Sequence, residues 1–588
     1  MHRYVILVST RPGGPGFTRT VERLHRELDG WAPALDTDLA AAWVFTAAPS
    51  RLGHRRLGPT GCLIGRDFGP DIQDIDKLLD RSWGAYVAVS VDPPRRAVRV
   101  LRDPTGRMEC WRLSLDGADV VFSHYDDVHR LQARPSEIDW TYLTHHLNQG
   151  WMHGEATCVQ GITEVLHGEE LIYADGQMSR GLRWRPHEIA ARPYETLAAA
   201  QTAIRSAAET AVPAWARLYG RFTLDLSGGL DSAIVLGLLR GQGSHEGVIA
   251  LNRVTPGEAG DERAYARDAA ALHGVDLVEQ EPVSRDVNLT TPFPRKLMRP
   301  RNRILPLGYD ETGIETARRL GAEAYFTGTG GDHLFYDNLQ AHAACDYLHN
   351  GGGLREGVEA TVSLAQLSRD TVWGVCGEVA KHYLRGRPPL DQLWPRENRF
   401  LTATARAGAD YERYTHPWAV DAAQHAPPAK RNQILFLLEL QRHYYRYGRA
   451  EAAEEVHPLI SQPLIEACLR TPAHWFGVGG VQRGLARRAF ADLLPASIRN
   501  RRSKGGNGIY FIEFLTKRLP RIRELLLEGR LAEKGLLDRA GVETALTPLR
   551  FAAGEDFMSI NTCLTTELWI RQTEADRAEA RPLAVLSA

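Results

Sequence analysis

The stretch Ser227-Gly228-Gly229-Leu230-Asp231-Ser232 holds the residue types that a polyphosphate needs. Two adjacent glycines let the backbone come close to a ligand and take unusual dihedrals. A loop that runs straight into a helix presents free N–H groups and a positive dipole end to an anion. Ser227 and Ser232 add hydroxyl donors. Asp231 is anionic and cannot donate to phosphate, so its sensible task is to hold a Mg²⁺ that bridges phosphate oxygens. The pattern is not GxxxxGK[ST], so it is a different nucleotide loop from the Walker type. The plain alternative is a Ser/Gly turn between a strand and a helix.

The elements around the loop suit its task. Phe222 to Leu226 reads as a buried strand, Asp231 to Leu239 as a helix and Gly247 to Leu251 as a second strand. Strand, helix and strand of these lengths predict a right-handed parallel unit. Glu262 to Leu272 and Thr312 to Leu320 continue as helices, and Ala322 to Thr327 as a strand. The expectation for this half is a doubly wound α/β domain. Ahead of it, Glu195 to Ala211 is Ala-rich with helical spacing. Residues 1–190 read differently. Trp83 to Val91 and Ala97 to Leu101 flank Pro93-Pro94-Arg95-Arg96 and predict a hairpin. That half is expected to be an α+β sandwich of stacked sheets.

Composition narrows the class. With 43% hydrophobic and 24% charged residues the chain is ordinary globular material. Seventy-one basic residues against 72 acidic ones argue against a general nucleic-acid or membrane-surface binder. Seven cysteines (Cys62, Cys110, Cys158, Cys345, Cys376, Cys468 and Cys563) form no CxxC pair and read as reduced thiols of a cytoplasmic protein. The first apolar run, Tyr4 to Val8, is too short for a signal peptide and reads as a strand, and no run is long enough to span a membrane.

The loop resembles the PP-loop of adenylating ATP pyrophosphatases, and the whole chain resembles the asparagine synthetase B superfamily. Leu101 to Gly106 and Gly161-Ile162 with Leu166-His167-Gly168 are similar to the amidotransferase-type (Ntn-type) domain of that superfamily. Gly260 to Ala266 resembles its next helix start, and Thr327 to Phe335 its SGxGGDELF segment. The resemblance implies a degenerate glutamine amidotransferase-like domain over residues 1–190 and an ATP-dependent synthetase domain with a helical extension over 191–588. It implies ATP and Mg²⁺, with Asp231 and Asp332 as metal ligands. It adds Leu226, Leu251 and Gly330 to Ser227, Gly228, Gly229, Asp231 and Ser232 at the nucleotide, and Lys504 as the charge stabiliser near the α-phosphate.

One departure directs the choice of subtype. Glutamine-hydrolysing members carry a cysteine after the initiator Met, and position 2 is His2. The thiolate nucleophile is then missing, which disfavours ammonia and favours an amine already present in the substrate. Val456 to Glu466, Arg483 to Phe490 and Arg501 to Gly506 look like the lasso-peptide macrolactam cyclases. The implied partners are a core peptide, with a leader peptidase and a leader-binding protein beside it, and no nucleic acid or membrane. A small-molecule amide or β-lactam synthetase stays open as a second reading, and a non-catalytic nucleotide-binding protein as a third. Glu455 or its neighbour Glu454 stands as the candidate base, expected on a helix where at most one faces the site. β-Lactam-forming relatives place a Tyr at the position of Thr329, which cannot do that phenol's work. His443-Tyr444-Tyr445-Arg446-Tyr447 is a candidate peptide-lining run, and Arg499, Arg501 and Arg502 read as a solvated face.

Overall fold

The computed structural model describes the chain apart from residues 1, 11–14, 48–49, 133–135, 151, 242–246, 255–260, 282–288, 290–292, 294, 301–306, 338, 341–342, 350–352, 394–397, 445–451, 503–511, 513–514, 548–549, 551–553, 555 and 580–588. Two six-stranded antiparallel sheets fill the N-terminal part. In one, His2–Ser9 is flanked by Ala40–Thr46 and Ala118–Phe122. In the other, Trp83–Asp92 pairs with Gly61–Phe68 and, through the turn at Pro93, with Ala97–Arg102. Tyr4, Ile6 and Val8 share a core with Ile64, Val87 and Val89, so the two inner faces pack on each other.

The helix Leu197–Ala216 then leads into a five-stranded parallel sheet. Its spatial order is Leu277–Gln280, Val248–Arg253, Phe222–Asp225, Ala324–Thr327 and Glu454–Val456. The order reverses between Phe222–Asp225 and Ala324–Thr327, which are neighbours in register. Ligands of open α/β sheets bind beyond the strand ends at such a reversal. The two turns that follow these strands are the Ser227 loop and the Gly328–Gly331 segment.

The connection from Ala324–Thr327 to its neighbour Glu454–Val456 is long and helical, running through Ala343–His349, Leu354–Ser368, Val372–Arg385 and Pro428–Leu440. Helices after the sheet end with Phe557–Glu579, whose residues 559 to 570 are all buried. Strands at Leu277–Gln280 and Glu454–Val456 lie where no strand is expected from sequence, and the two glutamates sit on a strand instead of a helix. The halves share one hydrophobic cluster, with Trp184 and Trp215 packed among residues of both. None of the described helices is long and apolar enough to cross a membrane.

Candidate active site

The nucleotide-type loop is fixed from behind. Leu226 is fully buried, its N–H donates to Leu251 O at 2.8 Å, and Asn252 Nδ2 donates to its carbonyl at 2.8 Å. Leu251 therefore contributes backbone to the loop's footing, and its side chain is core. Gly228 has φ +80°, and a Cβ there would come within 2.7 Å of Glu262 O, so no other residue fits without movement. Ser227 Oγ lies 3.3 Å from Ser232 Oγ, which brings both hydroxyls to one point at the start of the helix Leu230–Gly241.

The second turn is pressed onto the first by its glycines. A Cβ on Gly328 would lie 2.4 Å from Ser232 N, and one on Gly331 would lie 2.3 Å from Asp231 Cγ. Gly330 has φ +99° and faces Ile460 at a distance that leaves no room for a side chain. This close packing sets Asp332 beside Asp231. Both carboxylates bind one cation: Arg483 Nη1 donates to Asp231 Oδ2 at 2.8 Å and to Asp332 Oδ1 at 2.5 Å. Arg483 Nε lies 3.5 Å from Asp337 Oδ1. Burial works against the charge of Arg483, but Asp231, Asp332 and Asp337 outweigh it and hold the guanidinium above its ordinary value. Arg483 also has φ 57°, a left-handed conformation uncommon for a residue with a side chain. Two hard oxygen ligands converging on one positive group form a donor set that fits Mg²⁺.

A second basic group closes the loop's other side. Arg501 Nη2 pairs with Glu262 at 2.7 Å, its Nη1 reaches Gly228 O at 3.3 Å, and its guanidinium lies 3.9 Å from the centre of the Tyr265 ring. The expectation of a solvated arginine is wrong for Arg501, whose side chain is 10% exposed, whereas Arg499 and Arg502 are exposed. Lys504 lies outside the described residues.

Glu454 and Glu455 point to opposite sides of their strand. Glu454 is turned to the N-terminal half: Arg107 Nη2 donates to it at 3.1 Å, Ser50 Oγ at 3.2 Å and Arg51 N at 3.1 Å. Arg107 also donates to Glu455 O at 2.8 Å and lies 4.3 Å from the centre of the Trp215 ring. Glu454 is thus committed to the interface between the halves. Glu455 lies on the other face with His457, whose Nε2 is 4.0 Å from Glu455 Oε1. His457 Nδ1 is 2.7 Å from Thr327 Oγ1, and Thr329 N donates to the same hydroxyl at 3.1 Å. Of the His443–Tyr447 run only the Tyr444 side chain is described. It is half-buried, with its ring 5.9 Å from that of His457. Sequence reasoning assigned no role to His457, Arg483 or Arg501. For Arg483 the available signal was the Arg-Gly step that opens the helix Gly484–Ala489.

The N-terminal half places its polar groups differently. Burial pushes the Cys62 thiol up to about 12 and the Cys110 thiol up to about 11, and it raises Cys158 further. None of these three can serve as a ready thiolate. His2 is buried, with Nδ1 2.8 Å from Thr46 Oγ1.

A parallel sheet with a Ser-Gly-Gly-Leu-Asp-Ser loop and a second carboxylate at its reversal point defines a nucleotide-using synthetase domain. Residues 203–571 match the asparagine synthase family, and the chain belongs to that family. No curated protein matches the chain. The family uses ATP to make amide bonds, and ATP-dependent amide ligation is the chemistry of this chain.

Proposed function

We propose that this synthetase joins a carboxylate and an amine of one peptide substrate, closing a macrolactam ring of the lasso-peptide type with release of AMP and pyrophosphate. The reading rests on one observation above all. The nucleotide loop brings Ser227 to Ser232 and sets Asp231 beside Asp332, while Cys62, Cys110 and Cys158 of the N-terminal half are sealed as neutral thiols. In this reading the amine comes with the substrate and not from glutamine. The helical crossover between Thr327 and Glu454 packs its helix Pro428–Leu440 on the Gly331–Leu334 turn at the strand ends, which suits a substrate larger than an amino acid.

In this reading the substrate carboxylate attacks the α-phosphorus of ATP, and the bond to pyrophosphate breaks. Ser227, Ser232 and the N–H groups at the start of the helix Leu230–Gly241 hold the departing phosphates. Asp231 and Asp332 would hold Mg²⁺, which supplies charge neutralisation at the phosphates when bound. Arg483 gives up its place between the two carboxylates and turns to phosphate oxygen. Lys504 stabilises charge at the α-phosphate and at the tetrahedral intermediate. The peptide's N-terminal amine then attacks the acyl carbon, the bond to AMP breaks, and the amine's proton passes to Glu455, with His457 and Thr327 orienting that carboxylate's surroundings. Glu454, tied to Arg107, takes no part. Holding the chain with both ends in place makes closure unimolecular, worth up to about 7–11 kcal/mol. Exclusion of water protects the acyl-adenylate.

The test is ATP–pyrophosphate exchange and AMP release with a leader-free core peptide bearing an Asp or Glu side chain. Exchange that depends on that side chain supports the reading. Exchange with free amino acids and none with any peptide would transfer the assignment to a small-molecule amide synthetase of the same family.

A further inference from the structure

At the start of the helix Pro428–Leu440, the helical crossover encloses a cavity of about 160 Å³. Four helices line it. Cys345 comes from Ala343–His349, His382 and Arg387 come from the end of Val372–Arg385 and the turn after it, His425 ends Pro417–His425, and Pro427 and Arg431 come from the turn before Pro428–Leu440 and its start. Two guanidinium groups and two imidazoles thus face one small space, and no carboxylate is among the described residues that line it.

The nearby acid does not balance them. Asp346 accepts from Ala429 N through Oδ1 and from Lys430 N through Oδ2, both at 2.8 Å, so its two oxygens cap the helix. Arg431 Nε is buried and has no hydrogen-bond partner among the described residues. Burial pulls this guanidinium below its ordinary value against the attraction of Asp346, and the neighbouring Arg387 adds to the lowering. A buried donor without an acceptor is costly, and a second cation on the same cavity adds to the cost.

An oxyanion removes both costs together. A guanidinium offers a planar fork of donors that matches a carboxylate or a phosphate with two parallel hydrogen bonds. The geometry points to this cavity as a binding site for a small oxyanion, a carboxylate or phosphate group, held between Arg431 and Arg387. The site is separate from the nucleotide loop. Farther along the same helix, Glu439 lies 3.5 Å from His333, next to Asp332, so the nucleotide edge meets the helix well away from the cavity.

The experiment measures thermal unfolding and calorimetric binding of the full chain with sodium phosphate and with sodium acetate, each against sodium chloride at equal ionic strength. Saturable stabilisation by phosphate alone assigns a tetrahedral ligand, and stabilisation by acetate assigns a planar one. Arg431→Gln weakens that response about tenfold or more, as expected for loss of a charge-assisted pair. Arg387→Gln, at an exposed position, weakens it too. Ser232→Ala, in the nucleotide loop, leaves it unchanged. A response no greater than that to chloride overturns the proposal. So does a response that survives in both arginine variants, or one that only Ser232→Ala abolishes.

Discussion

The two halves of the chain use buried polar residues in opposite ways. Those of the N-terminal sandwich are paired off, within it and with the synthetase half. Glu164 accepts from Arg102 Nη1 at 2.8 Å and pairs with Arg299, and His167 Nδ1 lies 2.7 Å from Gln441 Nε2. In the synthetase half they converge at the open ends of the strands: Ser227 on Ser232, and Asp231 and Asp332 on a single arginine. A network closed on itself gives rigidity and a single arrangement. Like charges brought together around a replaceable cation store the capacity to bind. The sandwich thus serves as a fixed wall for the sheet, and Arg107 bolts the two together.

The largest effect that separates the halves is expected at Asp231. Asp231→Asn should lower ATP-dependent turnover about 10³-fold, some 4 kcal/mol in the barrier, with the fold intact because Arg483 keeps Asp332 and Asp337. Pyrophosphate release with circular dichroism as a control measures both. Near-normal turnover would remove this carboxylate from the site. Arg107→Ala tests the bolt. It leaves Glu454 buried without its cation and should cost about 3–5 kcal/mol in denaturant unfolding. Adding Glu454→Gln should restore part of that loss, and strict additivity would contradict the coupling.

Acid should act on the histidines buried where the two halves meet. Burial lowers the buried His153, His167 and His416, the last to about 3. Below the ordinary histidine value the unfolded chain binds more protons than the folded one. Stability from this source is therefore complete above about pH 6.5 and is lost as pH falls below it, by up to about 1.4 kcal/mol per pH unit for each histidine. Urea unfolding at pH 7 and pH 5.5 reads the slope, which His416→Gln should reduce. The smallest effect belongs to His2→Ala, which removes one hydrogen bond to Thr46 for about 1 kcal/mol of stability. Turnover should not change, and a large fall in rate would return chemistry to the sandwich.

What was legible in the sequence follows range. The Ser227–Ser232 loop and the Gly330-Gly331-Asp332 turn carry their chemistry within a few residues, so their types and spacing suffice. Glu454 and Glu455 do not. A three-residue strand with two acids has no period to read, and the partner of Glu454 is Arg107, far away in the chain. Arg501 reads as solvated because its neighbours in sequence are basic, yet Glu262 and Tyr265 cover it in space. The helix Phe557–Glu579 escapes because its buried stretch mixes Ser559, Asn561, Thr562, Thr565, Thr566 and Glu567 with apolar residues, so no clean apolar stripe marks the helical period. Arg483 needs three acids from two other segments before its role exists.

The most direct measurement is mass spectrometry of a core peptide incubated with the enzyme, ATP and Mg²⁺, without glutamine or ammonium, alongside quantified AMP. Intramolecular closure gives a product lighter by one water for each AMP formed. A peptide that stays unchanged until ammonia is supplied, and then becomes a side-chain amide, would contradict the assignment.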